Sequence, residues 1–156
     1  MQSATLHWED NRNHEVGVAL AAVQLGHLLR IVVVRQDFQD KKNRKFEVFV
    51  NPVITKLGGD IIEDYEGCLS IKDIYGKVPR HSKVKIKALG IDGKEFRVTA
   101  EGFLARIFQH EIDHTNGTVF IDHIKDNSEA FFRLEEDGKL KPLNYEKDIK
   151  NNHILW

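Results

Sequence analysis

The sequence has few of the residues that stabilise small secreted proteins or anchor proteins in membranes. It contains one cysteine, Cys68, and three prolines among 156 residues. One cysteine cannot form an internal disulfide, and a lone thiol that must stay reduced fits a cytoplasm-like compartment. No apolar run approaches the ~18 residues of a membrane span, and residues 1–10 lack the basic and apolar regions of a secretory signal. These absences predict a cytoplasmic protein without membrane association.

An excess of charge of one sign is also missing. The sequence has 23 Lys and Arg and 24 Asp and Glu residues, which gives a formal net charge of −1. Such a balance argues against a broad electrostatic surface for stable nucleic-acid binding. Two basic stretches are local. Residues 41–45 are predicted to form a hairpin tip, and Lys83, Lys85 and Lys87 the solvent-facing side of a strand.

The chain has the length of one ordinary domain. With 41% hydrophobic residues it can bury one substantial core, and it contains no repeat, low-complexity tract or linker. We predict a single domain over residues 1–156, with a short helix within residues 1–16 and a C-terminal extension over residues 126–156.

Hydrophobic periodicity predicts an α+β fold in which antiparallel strands pack around one main helix. The predicted strands are 28–34, 46–53, 61–65, 83–88 and 96–98. Gly58-Gly59 is predicted to be a turn and Asp92-Gly93 a two-residue hairpin loop. The main helix is predicted to begin at an N-cap on Thr99 and to end at Gly117. Because strands outnumber helices and the main helix comes late, an α+β domain is favoured over a doubly wound sheet.

The predicted main helix contains a metal-binding pattern, Gln109-His110-Glu111-Ile112-Asp113-His114. His110 and His114 lie one turn apart on a helix and face the same way, so both imidazoles can reach one metal ion. Glu111 lies about 100° around the helix from His110 and can reach a metal-bound water without being a ligand. A catalytic site needs a third ligand and an open position for water. The identity of that ligand therefore decides the kind of hydrolase.

Three schemes for the third ligand can be compared. The extended pattern that ends in a third histidine is excluded, because Phe120 occupies that position. Glu135 and Glu136, about twenty residues downstream, remain alternatives, although the dense charge around them indicates a solvated surface. Cys68 is favoured because it follows a predicted strand, from which a thiolate could face the helix. A thiolate with two imidazoles suits zinc or ferrous iron in a tetrahedral arrangement with one water.

Three motifs in a fixed order resemble those of the peptide deformylases, which remove the formyl group from N-formylmethionine at the start of new polypeptides. The motifs are Gly17–Gln24 (GVALAAVQ), Glu66–Ser70 (EGCLS) and His110–His114 (HEIDH). Val78-Pro79-Arg80 and Phe120-Ile121-Asp122 are also similar to the family. The resemblance covers about residues 17–125. It implies a peptide deformylase-like α+β fold and a single metallohydrolase domain that cleaves amides.

The resemblance also implies a role for each residue of the predicted site. The implied metal ligands are Cys68, His110 and His114. Glu111 is implied to be the general base and then the general acid. The side-chain amide of Gln24 and the backbone N–H of Leu69 are implied to donate hydrogen bonds to the formyl oxygen. The implied cofactor is one divalent metal ion, with Fe²⁺ as the native ion and Zn²⁺ or Ni²⁺ as ions that can occupy the site in a purified sample.

The implied substrate is an N-formylmethionyl peptide bound beside the metal. The residues implied to contact it are Val18, Ala19, Gly67, Phe103, Arg106 and Ile107. Phe103, Ile107 and the aliphatic stem of Arg106 would line an apolar slot for methionine, and plain core packing is an equal alternative for Phe103. A transient association with the ribosome is a further implied contact, whereas stable binding to nucleic acid or membrane is not expected.

The sequence departs from the family's pattern where the peptide is held. Ala19 stands where a second glycine is usual, so its methyl group would crowd the substrate backbone or alter φ. Residues 1–16 precede the first motif, where family members usually have a further strand and helix. We therefore expect real hydrolysis with weaker or altered peptide binding. Two alternatives stay open: a deformylase-like peptide-binding module with weakened activity, and a metallo-amidase or peptidase that acts on another small acyl substrate.

Overall fold

The computed structural model describes residues 1–12 and 15–150 of the chain. Its longer elements are α1 (Gln2–Asp10), β1 (Ala19–Ala21), β2 (Ile31–Arg35), β3 (Phe46–Cys68), β4 (Ile71–Leu89), β5 (Glu95–Glu101), α2 (Gly102–Thr115), β6 (Phe131–Leu134) and β7 (Leu140–Leu143). Short helical turns are Ala22–Leu25, Phe120–His123 and Tyr145–Lys150. The strands pair antiparallel with one another. The predicted α+β class is confirmed.

The chain forms two compact units. The first consists of Met1–Asp60 and His81–Thr118, and the second of Ile61–Arg80 and Val119–Trp156. The long strands β3 and β4 each contribute one part to either unit. The prediction of one domain over residues 1–156 is not tested by this division and stays a prediction.

In the first unit the strands follow the order β1-β2-β3-β4-β5. Their register places Ala21 opposite Val32, Val32 opposite Phe49, and Ile86 opposite Val98. Because side chains alternate between the two faces of a strand, this register collects apolar residues on one face of the sheet. That face supplies much of the core of the unit.

The predicted alternation along β4 is confirmed. Val84 and Ile86 are buried, whereas Lys83 and Lys85 are exposed to solvent. This part of the strand pairs with β5, which returns the chain toward α2. The basic stretch in this strand therefore lies on the solvent side of the sheet, as the sequence indicates.

α2 packs its apolar face against the sheet of the first unit. The buried core of this unit consists of Ala19, Ala21, Val32, Val34, Phe49, Val84, Ile86, Ala88, Ala100, Ala105, Ile107, Phe108 and Ile112. The ring of Phe108 meets that of Phe49 edge-on, with centroids 4.8 Å apart. Each fully buried valine, isoleucine or phenylalanine contributes about 1.5–3 kcal/mol, and a helix of this length depends on tertiary packing for its stability. The sheet therefore fixes the position of every residue that α2 carries.

The second unit contains the end of β3, the start of β4, and the hairpin β6–β7, in the order β3-β4-β6-β7. Ile74 pairs with Arg133, and Phe131 with Leu143. Its buried core consists of Cys68, Ile74, Val78, Phe120, Ile121, Ile124, Ala130, Phe131 and Ile149. Residues 126–150 therefore form strands and a short helix that help to build this core.

Several predicted elements are confirmed. α1 lies within residues 1–16, and residues 41–45 lie in the connection of the β2–β3 hairpin, where Arg35 pairs with Phe46. The predicted strand 61–65 is part of β3. Gly117 follows the end of α2 with a φ of 78°, a backbone conformation that favours glycine and ends helices.

The predicted turn at Gly58-Gly59 is wrong, because β3 continues through both residues. Gly59 has a φ of 69°, and a Cβ there would collide with the side chain of Ser82. This glycine therefore allows a close approach within the hairpin. β3 also continues through Pro52. Asn51, directly before it, has a φ of 50°, and a proline is tolerated in a strand at such a local distortion.

Two predicted boundaries near the hairpin loops are also wrong. β2 begins at Ile31 and not at residue 28, and Leu28 is 93% exposed. The apolar character of that segment therefore does not reflect burial in a strand. The connection around Asp92-Gly93 spans residues 90–94, because pairing ends where Leu89 faces Glu95. It is a loop of five residues and not of two.

The start of the main helix is two residues later than predicted. Thr99 lies in β5, and the N-cap of α2 is Glu101. Gly102 follows with a φ of 58°, which is open to glycine and lets the chain change direction from strand to helix. Gly102, and not a cap at Thr99, therefore marks the start of α2.

Among residues 1–12 and 15–150, no helix has the length and apolar character that crossing a bilayer demands.

Candidate functional site

α2 carries both predicted imidazole ligands on one side. Nε2 of His110 lies 3.1 Å from Nε2 of His114, and the two rings are nearly perpendicular at 84°. Both side chains are buried. The helical spacing thus brings the two nitrogens together as the sequence predicts.

Gln109, directly before the first histidine, connects α2 to β4 by hydrogen bonds. Its side-chain Nε2 donates to the carbonyl oxygen of His81 at 2.8 Å, and its Oε1 accepts the N–H of His81 at 3.2 Å. Nε2 also donates to the carbonyl of Ala105 at 3.0 Å. The amide therefore pairs with a backbone residue as a neighbouring strand would, and it holds the histidine-bearing turn in place.

Arg30 holds the other end of α2. Its Nη1 donates to the carbonyl of Thr115 at 3.1 Å and to Oδ1 of Asn116 at 2.7 Å, and its Nη2 donates to the carbonyl of Pro52 at 3.3 Å. A cation at a helix C-terminus satisfies carbonyls that have no intrahelical partner and interacts favourably with the helix dipole. The turn that carries His114 is therefore capped by a side chain from outside the helix.

Cys68 is buried at the end of β3 in the second unit. Two residues earlier, Glu66 accepts a bidentate pair from Arg80, with Nε–Oε1 at 2.9 Å and Nη2–Oε2 at 3.1 Å. Nη1 of Arg80 also lies 3.2 Å from Nε2 of His123. Because a bidentate guanidinium–carboxylate pair is strict in its geometry, it fixes the backbone that leads into the cysteine.

Three donor atoms form a group that could hold a metal ion. Sγ of Cys68 and one ring nitrogen each of His110 and His114 all lie within 4.8 Å of one another. Two nitrogens bound to one tetrahedral zinc ion would lie about 3.3 Å apart, since each bond is about 2.0–2.1 Å, and the two histidine nitrogens are 3.1 Å apart. One thiolate with two imidazoles is a donor set for zinc or iron. These residues therefore fit a divalent metal ion.

The alternative carboxylate ligands lie in the hairpin of β6 and β7. Oε2 of Glu135 is 3.2 Å from Nζ of Lys141, and Glu136 is exposed. In the part of the chain that the structure describes, neither belongs to a group of metal donors. The alternative in which a glutamate is the third ligand is therefore not supported.

Glu111, the predicted general base, is buried on α2 next to His110. A carboxylate in this position is fixed by the helix backbone and by the packing of α2 against the sheet. Its place beside the histidine on the same helix is the one that the sequence pattern predicts. Its catalytic role remains a prediction.

Gln24, a predicted hydrogen-bond donor, ends the first motif in the helical turn after β1. Its Oε1 accepts the backbone N–H of Ala21 at 2.9 Å. Because the oxygen is used in this way, the amide group is held in one orientation, with its donor side directed away from Ala21. The sequence did not indicate this local hydrogen bond.

Leu69 and Gly67 flank the cysteine at the turn from β3 to β4. The chain is in a turn at residues 69 and 70. A Cβ on Gly67 would lie 2.7 Å from the ring of Tyr75, so the absence of a side chain lets this ring pack against the backbone. Gly67 thus has a packing role in the second unit, and a contact with substrate remains a prediction.

The other residues predicted to contact substrate lie in the first unit. Ala19 and Ile107 are buried in its core, and Val18 packs against that core. Arg106 is also buried. Phe103 is different because 48% of it is exposed. Plain core packing, the alternative for Phe103, therefore describes Ala19 and Ile107 better than it describes Phe103.

Three features of the site region were not predicted from the sequence. They are the pairing of Gln109 with His81, the capping of α2 by Arg30, and the contact of Arg80 with Glu66 and His123. None of these contacts has a sequence signal of fixed spacing, because each joins residues that are distant in the chain.

Comparison with known proteins shows the family. The family model described as polypeptide deformylase matches residues 3–130. The peptide deformylase of Thermomicrobium roseum is 44% identical over 124 residues, which are 78% of this chain and 70% of that protein. The peptide deformylase of Brachyspira hyodysenteriae is 39% identical over 90% of this chain and 71% of its own length.

Solved structures agree with this result. A peptide deformylase from Synechococcus elongatus in complex with actinonin has a TM-score of 0.66 at 36% identity, over 71% of this chain and 60% of that one. A class I type b peptide deformylase from Acinetobacter baumannii has a TM-score of 0.69 at 34% identity, over 80% of this chain and 76% of that one. This chain thus spans between 60% and 76% of the four proteins described here. The motifs, the fold and these relatives together show that the chain belongs to the polypeptide deformylase family of enzymes.

Proposed function

We propose that this chain removes the N-formyl group from N-formylmethionyl peptides of newly made proteins and releases formate. The observation that carries this proposal is the group of one thiol and two imidazole donors within 4.8 Å of one another, in a chain of this family. Retention of all three family motifs, including Gln24 and the segment Glu66–Ser70, supports it further. The matched relatives are themselves peptide deformylases.

Cys68, His110 and His114 would hold one divalent metal ion. When bound, such an ion lowers the pKa of a coordinated water to ~7 and so makes a nucleophile available at neutral pH. We propose Fe²⁺ as the native ion, with Zn²⁺ or Ni²⁺ able to occupy the same donors. An iron–thiolate centre is expected to lose activity in air through oxidation. Activity that decays in air but persists under anaerobic, reducing conditions would support iron, and activity indifferent to oxygen would support zinc or nickel.

The chain's own residues would move the proton and stabilise the developing charge. Glu111 accepts a proton as the water oxygen bonds to the formyl carbon, and delivers it to the amide nitrogen as the C–N bond breaks. The products are formate and a free amine. The side-chain amide of Gln24 and the backbone N–H of Leu69 would donate to the formyl oxygen, and one such donor is typically worth ~3 kcal/mol in the transition state. The hydrogen bond between Ala21 N–H and Gln24 Oε1 supports this role, because it preorients the amide.

Two features would set the specificity for a formylmethionyl peptide. A formyl carbon carries only hydrogen, so a tight site beside the metal admits it and excludes larger acyl groups. An apolar slot would then receive the methionine side chain. The residues proposed to contact the peptide are Val18, Ala19, Gly67, Phe103, Arg106 and Ile107. Ala19 in place of glycine is proposed to weaken the binding of the peptide backbone.

We propose that the protein works in the cytoplasm and meets its substrate at or near the ribosome. A thiol that must ligate a metal has to stay reduced, and Cys68 has no second cysteine with which to pair. A transient encounter with the ribosome would follow from the substrate, which is the beginning of a new polypeptide.

A formate-release assay tests the function. Anaerobically prepared protein of measured metal content is given formyl-Met-Ala-Ser, acetyl-Met-Ala-Ser and unmodified Met-Ala-Ser. We expect formate from the formyl peptide and no product from the other two. Release of acetate would indicate a broader amidase, cleavage of the unmodified peptide would indicate a peptidase, and binding without turnover would indicate a peptide-binding module.

A further inference from the structure

We infer that Phe38 is a positioning residue for the methionine slot, and that it acts by holding the ring of Phe103. The inference deepens the proposed function and rests on it. It concerns the side chain of the first residue of the peptide and not the chemistry at the formyl group. Four observations within the first unit carry it.

Phe103 is more exposed than the other large apolar residues of α2. It lies on the first turn of α2 and is 48% exposed, whereas Ala105, Ile107 and Phe108 on the same helix are buried. A large apolar ring that projects from the core is available to a ligand. A half-exposed ring without a neighbour would, however, move between rotamers, so a defined slot needs a second group that restricts it.

Phe38 is that second group. Its ring centroid lies 5.3 Å from that of Phe103, with an angle of 70° between the planes. Aromatic pairs prefer this edge-to-face arrangement, and it is favourable beyond the area that it buries. Phe38 itself is partly buried and packs against the core of the first unit. It can therefore restrict the ring of Phe103 while remaining fixed itself.

The loop that carries Phe38 is anchored at several points. Arg35 at the end of β2 donates from Nε to the carbonyl of Asn43 at 2.8 Å and from Nη2 to the carbonyl of Lys41 at 2.7 Å. Its Nη1 pairs with Oε2 of Glu9 at 2.6 Å, and the guanidinium is fully buried. Directly before Phe38, Oδ1 of Asp37 accepts two backbone N–H groups of the same loop. These contacts oppose withdrawal of Phe38 from Phe103.

The two aromatic residues would therefore have different roles. Phe103 would contact the methionine side chain, and Phe38 would fix the position of the Phe103 ring. Removal of the Phe38 ring should enlarge the slot and let the Phe103 ring change rotamer. It should have no effect on the metal, on Glu111 or on Gln24. The expected result is weaker binding of methionyl peptides, with the chemical step unchanged.

The test compares Phe38→Ala and Phe38→Tyr with the wild-type protein on formyl-Met-Ala-Ser and formyl-Ala-Ala-Ser. We expect Phe38→Ala to raise KM for the methionyl peptide roughly 5-fold, the size of one aromatic pair, with kcat changed less than ~2-fold. The preference for methionine over alanine should fall by a similar factor. Phe38→Tyr keeps the ring and should restore both values. Phe132→Ala is the matched control, because Phe132 makes an edge-to-face pair with Tyr65 at 5.0 Å and 81° in the second unit.

Several results would overturn the inference. They are an unchanged KM and methionine preference in Phe38→Ala, an equal effect of Phe132→Ala, or no restoration by Phe38→Tyr. Thermal unfolding of each variant checks that it is folded, and Phe38→Leu replaces Phe38→Ala if the alanine variant is not. If metal-loaded wild-type protein releases no formate, the proposed function fails on its own. Calorimetric binding of Met-Ala-Ser to the wild type and to Phe38→Ala then still tests the inference, because an equal affinity would overturn it.

Discussion

Gln109 uses its side-chain amide to pair with both backbone groups of His81, donating to its carbonyl and accepting from its N–H. The side chain of a helix residue thereby hydrogen-bonds to the backbone of β4 as a neighbouring strand would. This residue directly precedes His110, so a structural hydrogen bond and a proposed metal ligand occupy adjacent positions. The pairing satisfies the polar atoms of the buried Gln109 side chain.

The first prediction follows from this pairing. Gln109→Leu would remove two partly buried hydrogen bonds to the backbone of His81, and each such bond contributes about 0.5–1.5 kcal/mol. We therefore expect the free energy of unfolding, measured in urea, to fall by roughly 1–3 kcal/mol. Gln39→Leu, at an exposed position of the β2–β3 loop, is the control and should change little. Equal stability of the two leucine variants would contradict the prediction.

The second prediction concerns the buried ion pair of Arg35 and Glu9. Oε2 of Glu9 accepts from Arg35 Nη1 at 2.6 Å and from the N–H of Gly17 at 2.9 Å. Arg35→Met would leave a buried carboxylate uncompensated, which costs about 3–5 kcal/mol. Arg35→Met with Glu9→Gln should lose less than Arg35→Met alone, because no charge then remains buried. Urea unfolding of both single variants and the double variant measures the coupling.

A second ion pair of α1 provides a control. Arg44 in the β2–β3 loop pairs with Asp10 of α1 at 2.6 Å, but both side chains are about half exposed. Arg44→Met should leave the urea midpoint nearly unchanged, because exposed ion pairs add little. If Arg44→Met and Arg35→Met had the same effect, burial would not be the reason for the cost.

The third prediction separates the proposed base from the proposed ligands. Glu111→Gln should keep one metal ion per chain and lower kcat by about 10²–10⁴-fold, because proton transfer is lost. Cys68→Ala should lose the metal itself. Elemental analysis and formate release are measured on the same anaerobic samples. Glu135→Gln tests the glutamate alternative of the sequence analysis and should change neither quantity. Loss of metal in that variant would instead assign a ligand role to Glu135.

The fourth prediction tests the departure at Ala19. This residue is buried in β1, where it pairs with Val34. Ala19→Gly should lower stability by about 0.5–1 kcal/mol, because glycine is less favourable in a strand. If the methyl group crowds the peptide, the same variant should raise kcat/KM on formyl-Met-Ala-Ser. No gain would remove Ala19 as the cause of any weakness in peptide binding.

The fifth prediction concerns pH. Lys87 on β4 lies 2.7 Å from Glu95 on β5, and this hydrogen bond, with the neighbouring Arg97, lowers the pKa of Glu95 below its ordinary value. A carboxyl with a lowered pKa in the folded state contributes stability above its unfolded pKa and loses it as pH falls through the folded one. A carbon-detected NMR titration should show this lowered pKa, and Lys87→Ala should raise it. An unchanged pKa in that variant would contradict the assignment to Lys87.

α2 shows how much of the structure a local sequence pattern can predict. Its periodicity and the spacing of His110, Glu111 and His114 were sufficient to predict a helix with two imidazoles on one side. The predicted start at Thr99 is wrong because this residue, although favourable as a cap, lies in β5, and the helix begins after Glu101 at Gly102, which has a positive φ. The turn predicted at Gly58-Gly59 was wrong for a related reason, since pairing across a long hairpin outweighed local turn preference.

The sequence alone determined which residues have the chemistry of a metal hydrolase, because residue type and spacing along one helix are local properties of the chain. It also determined the family, through three ordered motifs. Only the tertiary structure decided that Gln109 pairs with His81, that Arg30 caps α2, and that Phe38 stands against Phe103. These contacts join residues far apart in the chain, and their partners are selected by packing and by the need of buried polar groups for hydrogen bonds. Packing and hydrogen bonding of this kind do not produce a fixed residue spacing that could be recognised in the sequence.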